Sequence, residues 1–443
     1  MKKYITAIGL SCLTLGTTLA QSAATPMPLS QAIEMALKNN KSLKLADLRV
    51  QGAEARAQEV KDRNLPQASA SLSYSRFSLI TPFAFGEGED GKPLFGLPAG
   101  GFSATMGAVS IKKELFAGFA EKSSQLSADL LLRASRLDAQ RNRQELTYTV
   151  TDAYYNIVKL MRSAEIINQN IKQFDERERD ARNLEKEGVI LPNEVLKIQL
   201  QKNNLQLSRL QVEKARQTAL FNFGLLVGLD ENATISIDTT LTNAPAVVES
   251  LNSFLGQALQ QRPELQANAL RQQSADAQLR LVKSAKYPHV GLSAGYNYIN
   301  PAASLIPEPN AFINAWNIGL GVSYNIGSLY NLKGRINSAK VAINESITQG
   351  QQQADQIRTE VVSAYHNYEL ALEQQKVIQI ALTQAEENYR LTESRFRNGL
   401  VGSTELLDAN SFLLQAKLNL INSKVDGQLA YQRLLKATGG GVK

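Results

Sequence analysis

Two histidines (His289 and His366), one cysteine (Cys12) and one tryptophan (Trp316) are all that a chain of 443 residues holds of these types. A tetrahedral zinc site draws its ligands mostly from His and Cys, and a serine or thiol nucleophile needs a base beside it. Neither can be assembled. His289 opens a strand-like stretch after Pro288, and His366 lies between Tyr365 and Tyr368 in a helical run. One cysteine cannot form a disulfide within the chain. The Gly319-Leu-Gly321 run lacks a third glycine and a following helix, so it is strand alternation and not a dinucleotide loop. The residues left to do chemistry are carboxylates. Glu405 and Asp408 stand three apart shortly after Gly399 and Gly402, and Asn193 and Glu194 follow Gly188 and Pro192. Acids three apart at a helix start share a face and complement the helix dipole, with Ser403 or Thr404 placed to cap. Such groups act through charge. The chain is expected to be no enzyme and to carry no cofactor or metal. Its net charge of +7 is spread without a Lys/Arg run, so no nucleic-acid partner is expected either.

The elements that carry these acids occur twice. Ala36-Leu37 recurs as Ala258-Leu259, Pro66 as Pro288, Ser71 as Ser293 and Tyr74 as Tyr296, always 222 positions on. Later in each half the offset becomes 211: Val150/Val361, Ala153/Ala364, Tyr154/Tyr365, Gly188/Gly399, Glu194/Glu405 and Gly228/Gly439. The difference falls in Pro/Gly-rich stretches, TPFAFGEGEDGKPLFGLPAGG against NPAASLIPEPN, read as exposed loops at one end of the molecule. Each half opens with a helix, expected over about 30–63 and 251–286. Each half also carries a long heptad helix: Leu146, Val150, Ala153, Ile157, Leu160, Ala164, Ile167, Ile171 and Phe174, then Ile357, Val361, Ala364, Tyr368, Ala371, Gln375, Ile378, Leu382 and Ala385. A sustained period of 3.5 is a coiled-coil seam. Glycines 188 and 399 end these helices, and a second helix returns in each half, with Leu407, Leu414, Leu418, Ile421 and Val425 as the seam of the later one. A dimerising rod without a pore fits these helices equally well.

Four short segments follow period 2 instead. Ala68, Ala70, Leu72 and Tyr74 alternate with serines; Phe102, Ala104, Met106 and Ala108 with Ser103, Thr105 and Gly107. Val290, Leu292, Ala294, Tyr296 and Tyr298 alternate with small polar residues, as do Trp316, Ile318, Leu320, Val322, Tyr324 and Ile326. Strands of about ten residues with one apolar and one small polar face suit a bilayer-crossing barrel, with Tyr74, Phe77, Tyr298, Trp316 and Tyr324 as its aromatic membrane girdle. Backbone groups in hydrocarbon must all be paired, and a small barrel needs about eight strands. Four cannot close, so several copies are expected to share one barrel. Residues 1–20, with Lys2 and Lys3 before an apolar stretch ending in small residues, have the form of a secretory signal peptide. The expected domains are that signal, a first repeat over 21–228, a linker over 229–250, a second repeat over 251–439 and a tail over 440–443.

Together, the duplicated halves, two strands per half, heptad helices and the turns GVILPNEVL and GLVGSTELLDAN resemble the TolC family of trimeric outer-membrane efflux and secretion channels over about residues 28–439. The resemblance implies a mixed α/β membrane protein: a homotrimeric barrel of four strands per chain, set in outer-membrane lipid and continuous with an antiparallel coiled-coil tunnel projecting into the periplasm. It implies a passive gated conduit for efflux of small molecules such as drugs, or a component of type I protein secretion, docked with a periplasmic adaptor and an inner-membrane transporter. Carried over to this sequence, Glu405, Asp408, Asn193, Glu194 and Phe396 narrow the pore at the hairpin tips. Lys186, Gly188, Pro192, Arg397, Gly399 and Val401 belong to the tip surface that meets the partners. Val401 stands where the family has a latch arginine, and Arg397 or Lys186 is the expected substitute.

Overall fold

The computed structural model describes residues 26–78, 83–87, 89–90, 93–97, 102–230, 233–241, 249–300 and 313–440. The signal segment with Cys12, the tail beyond 440, parts of the linker and nearly all of the NPAASLIPEPN stretch lie outside them.

Both opening helices are broken in two. Helices α1 (Leu29–Asn39) and α2 (Lys41–Asp62) replace the single helix expected over 30–63, and α5 (Leu251–Gln261) and α6 (Pro263–Ser284) replace that over 251–286. Asn40 leaves the helical region and accepts from the Ser42 and Leu43 amides, starting α2. In the second half, Pro263 drives Arg262 into extended backbone (φ −64°, ψ 121°). Each break serves one joint. Asn40 Nδ2 donates to Leu226 O at 2.9 Å, and Arg262 Nη1 donates to Lys436 O at 3.1 Å and Ala437 O at 3.3 Å. The donors lie 222 positions apart and Leu226 and Ala437 lie 211 apart, so the duplication preserves the joint while changing its donor. These donors satisfy carbonyls at helix C-termini that have no partner inside the helix.

The long hairpins follow the heptads. Helix α3 (Ala120–Lys186) runs 67 residues and returns as α4 (Pro192–Val227); α7 (Ile326–Arg397) runs 72 residues and returns as α8 (Ser403–Ala437). At 1.5 Å per residue the longer arms reach roughly 100 Å. Val150, Ile157 and Phe174, and in the other half Ile357, Val361 and Tyr368, are fully or almost fully buried. Two matching cores result: Val150, Ile157 and Val158 against Ala36, Phe223 and Val227, and Val361 and Tyr368 against Ala258, Leu434 and Ala437. The linker straps the first core. Met27 pairs with Ile237 in a parallel bridge, and the Tyr154 hydroxyl donates to Met27 O (3.0 Å) and Asp238 O (2.9 Å). Burial first, then the Asp238 charge, pushes the Tyr154 phenol up to about 12.

Helix α8 uses a face other than the expected one toward its own partner. Leu413 and Ala416 pack with Leu382 of α7, whereas Leu407 and Leu414 lean on the Phe174 cluster of the first hairpin. Four helices side by side demand two seams on an inner helix, and the leucine heptad marks only one. A second polar device lies between the hairpins: the buried amides of Asn170 and Asn410 donate to each other at 3.1 and 3.2 Å.

Strands β1 (Gln67–Phe77), β4 (Phe102–Ala117), β5 (His289–Asn300) and β6 (Ile313–Ser323) form one antiparallel sheet in the order β1-β4-β5-β6. The Pro/Gly-rich stretch before β4, expected as a loop, contains a small hairpin, β2 (Phe83–Glu87) with β3 (Pro93–Leu97), outside that sheet. Register corrects the phase of β4. Leu72 pairs with Gly107, Ala70 with Val109, Val109 with Tyr296 and Tyr296 with Trp316, so the apolar face of β4 is Thr105, Gly107, Val109 and Ile111. The Ala104, Met106 and Ala108 series pairs with serines of β1 and faces the polar side. Ala and Met against Thr and Gly give too little contrast to fix which side is which; the partners decide.

Candidate functional site

The two hairpin tips are turned alike. Gly188 and Gly399 hold φ of 71° and 72° at the ends of α3 and α7. Val189 N donates to Leu184 O and Leu400 N to Arg395 O, both at 2.9 Å, the six-to-one bond of a Schellman cap. Pro192 then starts α4 at a position that needs no N–H. Neither Ser403 nor Thr404 caps α8; Gly402 stands at its N-cap without a side-chain bond.

Ser403 serves the first tip instead. Its hydroxyl donates to Glu194 Oε2, Lys197 Nζ reaches Glu194 Oε1 at 2.9 Å, and the same ammonium donates to Thr404 Oγ1 at 3.0 Å. The Ser403 hydrogen bond first, then Lys197, holds the Glu194 carboxyl below the usual range. Glu194, Lys197, Ser403 and Thr404 therefore tie the two tips of one chain together. The expected substitutes for the missing latch arginine do not do this. Arg397 pairs with Glu393 on its own helix at 3.4 Å, Lys186 is exposed without a carboxylate partner among the described residues, and Val401 is half-buried in the turn. Sequence reasoning missed Lys197, although the offset of 211 sets it opposite Asp408 and so shows one tip with a base where the other has an acid.

The remaining acids are open. Glu405 and Asp408 are exposed and have no cation or hydrogen-bond partner among the described residues; Asn193 is exposed, and Phe396 is half-buried in the last turn of α7. Just above, Arg177 is wedged between the hairpins, its guanidinium 5.0 Å from the Tyr389 ring and 3.8 Å from Glu393. Burial depresses its pKa, with Glu393 opposing. Beside it, Glu178 receives Lys202, Gln199 and Arg182, which bring its carboxyl to about 2, and Lys202 and Gln199 staple α4 to α3.

The sheet leaves its apolar face exposed. Leu72 is 78% and Trp316 76% exposed, and Tyr74 stands exposed with its hydroxyl on Ser103 Oγ at 2.9 Å. Tyr298 is half-buried opposite Asn314, Tyr324 lies one residue past β6 at the helix end, and Phe77 closes β1 opposite Phe102. No helix among the described residues is long and apolar enough to cross a membrane, and no His, Cys, Asp or Glu cluster among them could hold a metal ion.

Comparison with known proteins agrees with this geometry. The family model described as outer membrane efflux protein matches residues 32–229 and 254–440. The toluene efflux pump outer membrane protein TtgC of Pseudomonas putida is 24% identical over 422 residues, 93% of this chain and 83% of that one. The outer membrane protein TolC of Vibrio cholerae is 22% identical over 339 residues, 75% and 76% of the two. In fold, the chain superposes on the outer membrane protein VceC of Vibrio cholerae with a TM-score of 0.77 at 20% identity, covering 94% of this chain and 97% of that one. The CmeC outer membrane channel of Campylobacter jejuni gives 0.76 at 18%, covering 94% and 86%. With its family matched along both halves, the chain belongs to the outer membrane efflux proteins and serves as an efflux component in the outer membrane.

Proposed function

We propose that three copies of this chain close into one channel that carries small molecules, apolar organic compounds and drugs among them, from the periplasm outward, gated at the hairpin tips. The observation that carries this reading is a sheet with an exposed apolar face whose end strands, β1 and β6, each leave one edge unpaired among the described residues. Unpaired strand edges are untenable in hydrocarbon, and twelve strands suffice for a barrel. The helices support the same closure. Leu196, Leu200, Leu207 and Leu210 of α4, and Leu370, Val377, Ile380 and Leu391 of α7, remain exposed at heptad spacing, uncovered by any helix among the described residues. The cargo class follows the toluene and antibiotic pumps among the relatives. A periplasmic adaptor and an inner-membrane transporter would meet the tip surface of Lys186, Gly188, Pro192, Arg397, Gly399 and Val401, and supply the energy.

The test is conductance of the purified protein in planar bilayers, with its mass measured in detergent. Trimers that conduct are expected, and a non-conducting monomer would refute the channel. Leu200→Glu with Leu207→Glu is expected to leave monomers, because two carboxylates would be buried unpaired in each closing seam.

The tip latch also sets a pH dependence. A carboxyl depressed on folding stabilises its contacts above its unfolded pKa and loses that contribution as pH falls through the lower folded value. Glu194 is such a group, so the Glu194–Ser403 tie is complete at neutral pH and weakens only in acid below the usual carboxylate range. Open probability is expected to rise there, and Glu194→Gln should bring the rise to neutral pH; a flat profile in both proteins would remove Glu194 from the gate.

A further inference from the structure

Phe119 is the one non-glycine residue with positive φ among the described residues (φ 66°, ψ 16°). A bulky side chain in that region is strained and persists only where its surroundings hold it. Burial does not hold it, for the residue is 62% exposed. The turn is nonetheless clamped: at the preceding Gly118 (φ 60°) a Cβ would stand 2.6 Å from Ser284 O and 2.8 Å from Tyr287 Cβ. So held, the Phe119 ring lies edge-on to Phe116 at 5.5 Å and to Tyr287 at 6.3 Å. The three rings stand where β4 passes into α3 and α6 into β5, at the helix end of the sheet. Ser328 Oγ, donating to Ala285 O at 3.4 Å, brings the first turn of α7 to the same level, with Ile326 and Tyr330 exposed.

Two lysines attend this apolar collar. Lys113 pairs in register with Leu292 on the apolar face of the sheet, and Lys286 is exposed immediately before Tyr287. The acid beside Lys113, Glu114, is engaged by His289 Nδ1 at 2.6 Å, and neither lysine has a carboxylate partner among the described residues. Rings and free ammonium groups side by side, continuous with a lipid-facing sheet, match the boundary between acyl chains and phosphates. We propose that this collar binds the phosphate headgroups of glycerophospholipid in the inner leaflet of the outer membrane, with Phe119 wedged at the acyl boundary and Lys113 and Lys286 on the phosphates. The leaflet rests on the proposed orientation, helices toward the periplasm.

Full-length protein with Trp316→Phe and Phe119→Trp carries a single indole at the collar. In vesicles of phosphatidylethanolamine and phosphatidylglycerol, its fluorescence is expected to be quenched more by lipid brominated near the headgroup than by lipid brominated deep in the chain. Removing Lys113 and Lys286 (Lys→Gln) should lower phosphatidylglycerol retained after detergent exchange by about fivefold per lysine, and Phe119→Asn, which tolerates the backbone, should lower it too. An unquenched indole, or retention unchanged in both sets of variants, would overturn the proposal. Conductance measured on the same samples separates the two readings: a parent that does not conduct counts against the channel, while quenching reports the collar by itself.

Discussion

Arg262→Ala is expected to cost about 3–5 kcal/mol, the usual consequence of removing one member of a buried charge cluster. The guanidinium is almost fully buried and does two jobs. It caps the C-terminus of α8 through Lys436 O and Ala437 O, and it holds Glu360 at 2.7 Å and Glu264 at 3.2 Å. The Glu264 contact is one of charge more than of a well-aligned hydrogen bond, since the Nε and Oε2 atoms lack good hydrogen-bond geometry. Alanine would leave two helix-end carbonyls and a largely buried carboxylate without a partner. The duplication supplies the informative second variant. Arg262→Asn installs the donor that the first half uses at Asn40, so it should recover the helix cap but not the charge pairing. Thermal unfolding in detergent followed by helix signal is expected to order the proteins as wild type, Asn, Ala. A loss below 1 kcal/mol for Ala would show that the joint does not depend on this side chain.

This joint also marks where the sequence stops speaking plainly. Heptads and alternation announce the hairpins and strands, because a coiled-coil seam and a half-wet strand each impose a period on many residues at once. The broken opening helices depend on single residues. Pro263 is visible as a breaker, but Asn40 breaks its helix by capping, and its purpose appears only when Leu226 arrives from 186 positions away. The phase of β4 was unreadable for a related reason: Ala104 and Met106 look apolar until Ser75 and Ser73 are found opposite them. At the tips, the acids were legible as a pair and the glycines as turns. The tie was not, since Ser403 and Lys197 act across two hairpins, and nothing local distinguishes a hydroxyl that caps its own helix from one that bonds its neighbour.

Replacing Glu405 and Asp408 together with alanine is expected to abolish most of the cation preference of the channel and to weaken block by multivalent cations more than tenfold. The argument runs through the offset of 211. Glu194 and Lys197 at the first tip become Glu405 and Asp408 at the second, an ion pair exchanged for two acids. Within the chain Glu194 at the first tip is paired with Lys197 at 2.9 Å and tied to Ser403, while Glu405 and Asp408 at the second tip are exposed with no cation partner among the described residues. Threefold closure would set six such groups around one opening. Even in water, charges 4 Å apart interact by about 1 kcal/mol, and a trivalent ion meeting several carboxylates multiplies that. Measurement at low salt avoids screening over roughly 8–10 Å at ordinary ionic strength. Glu405→Gln with Asp408→Asn should reproduce the alanine result, because the effect is one of charge and not of shape. Glu194→Gln unpairs the Lys197 ammonium and adds one positive charge per chain, so it should lower cation preference by less than the loss of both second-tip acids, while easing opening. If instead selectivity survives loss of Glu405 and Asp408 and falls with Glu194, the pore's field arises at the tied tip, and the open acids serve only the dipole of α8.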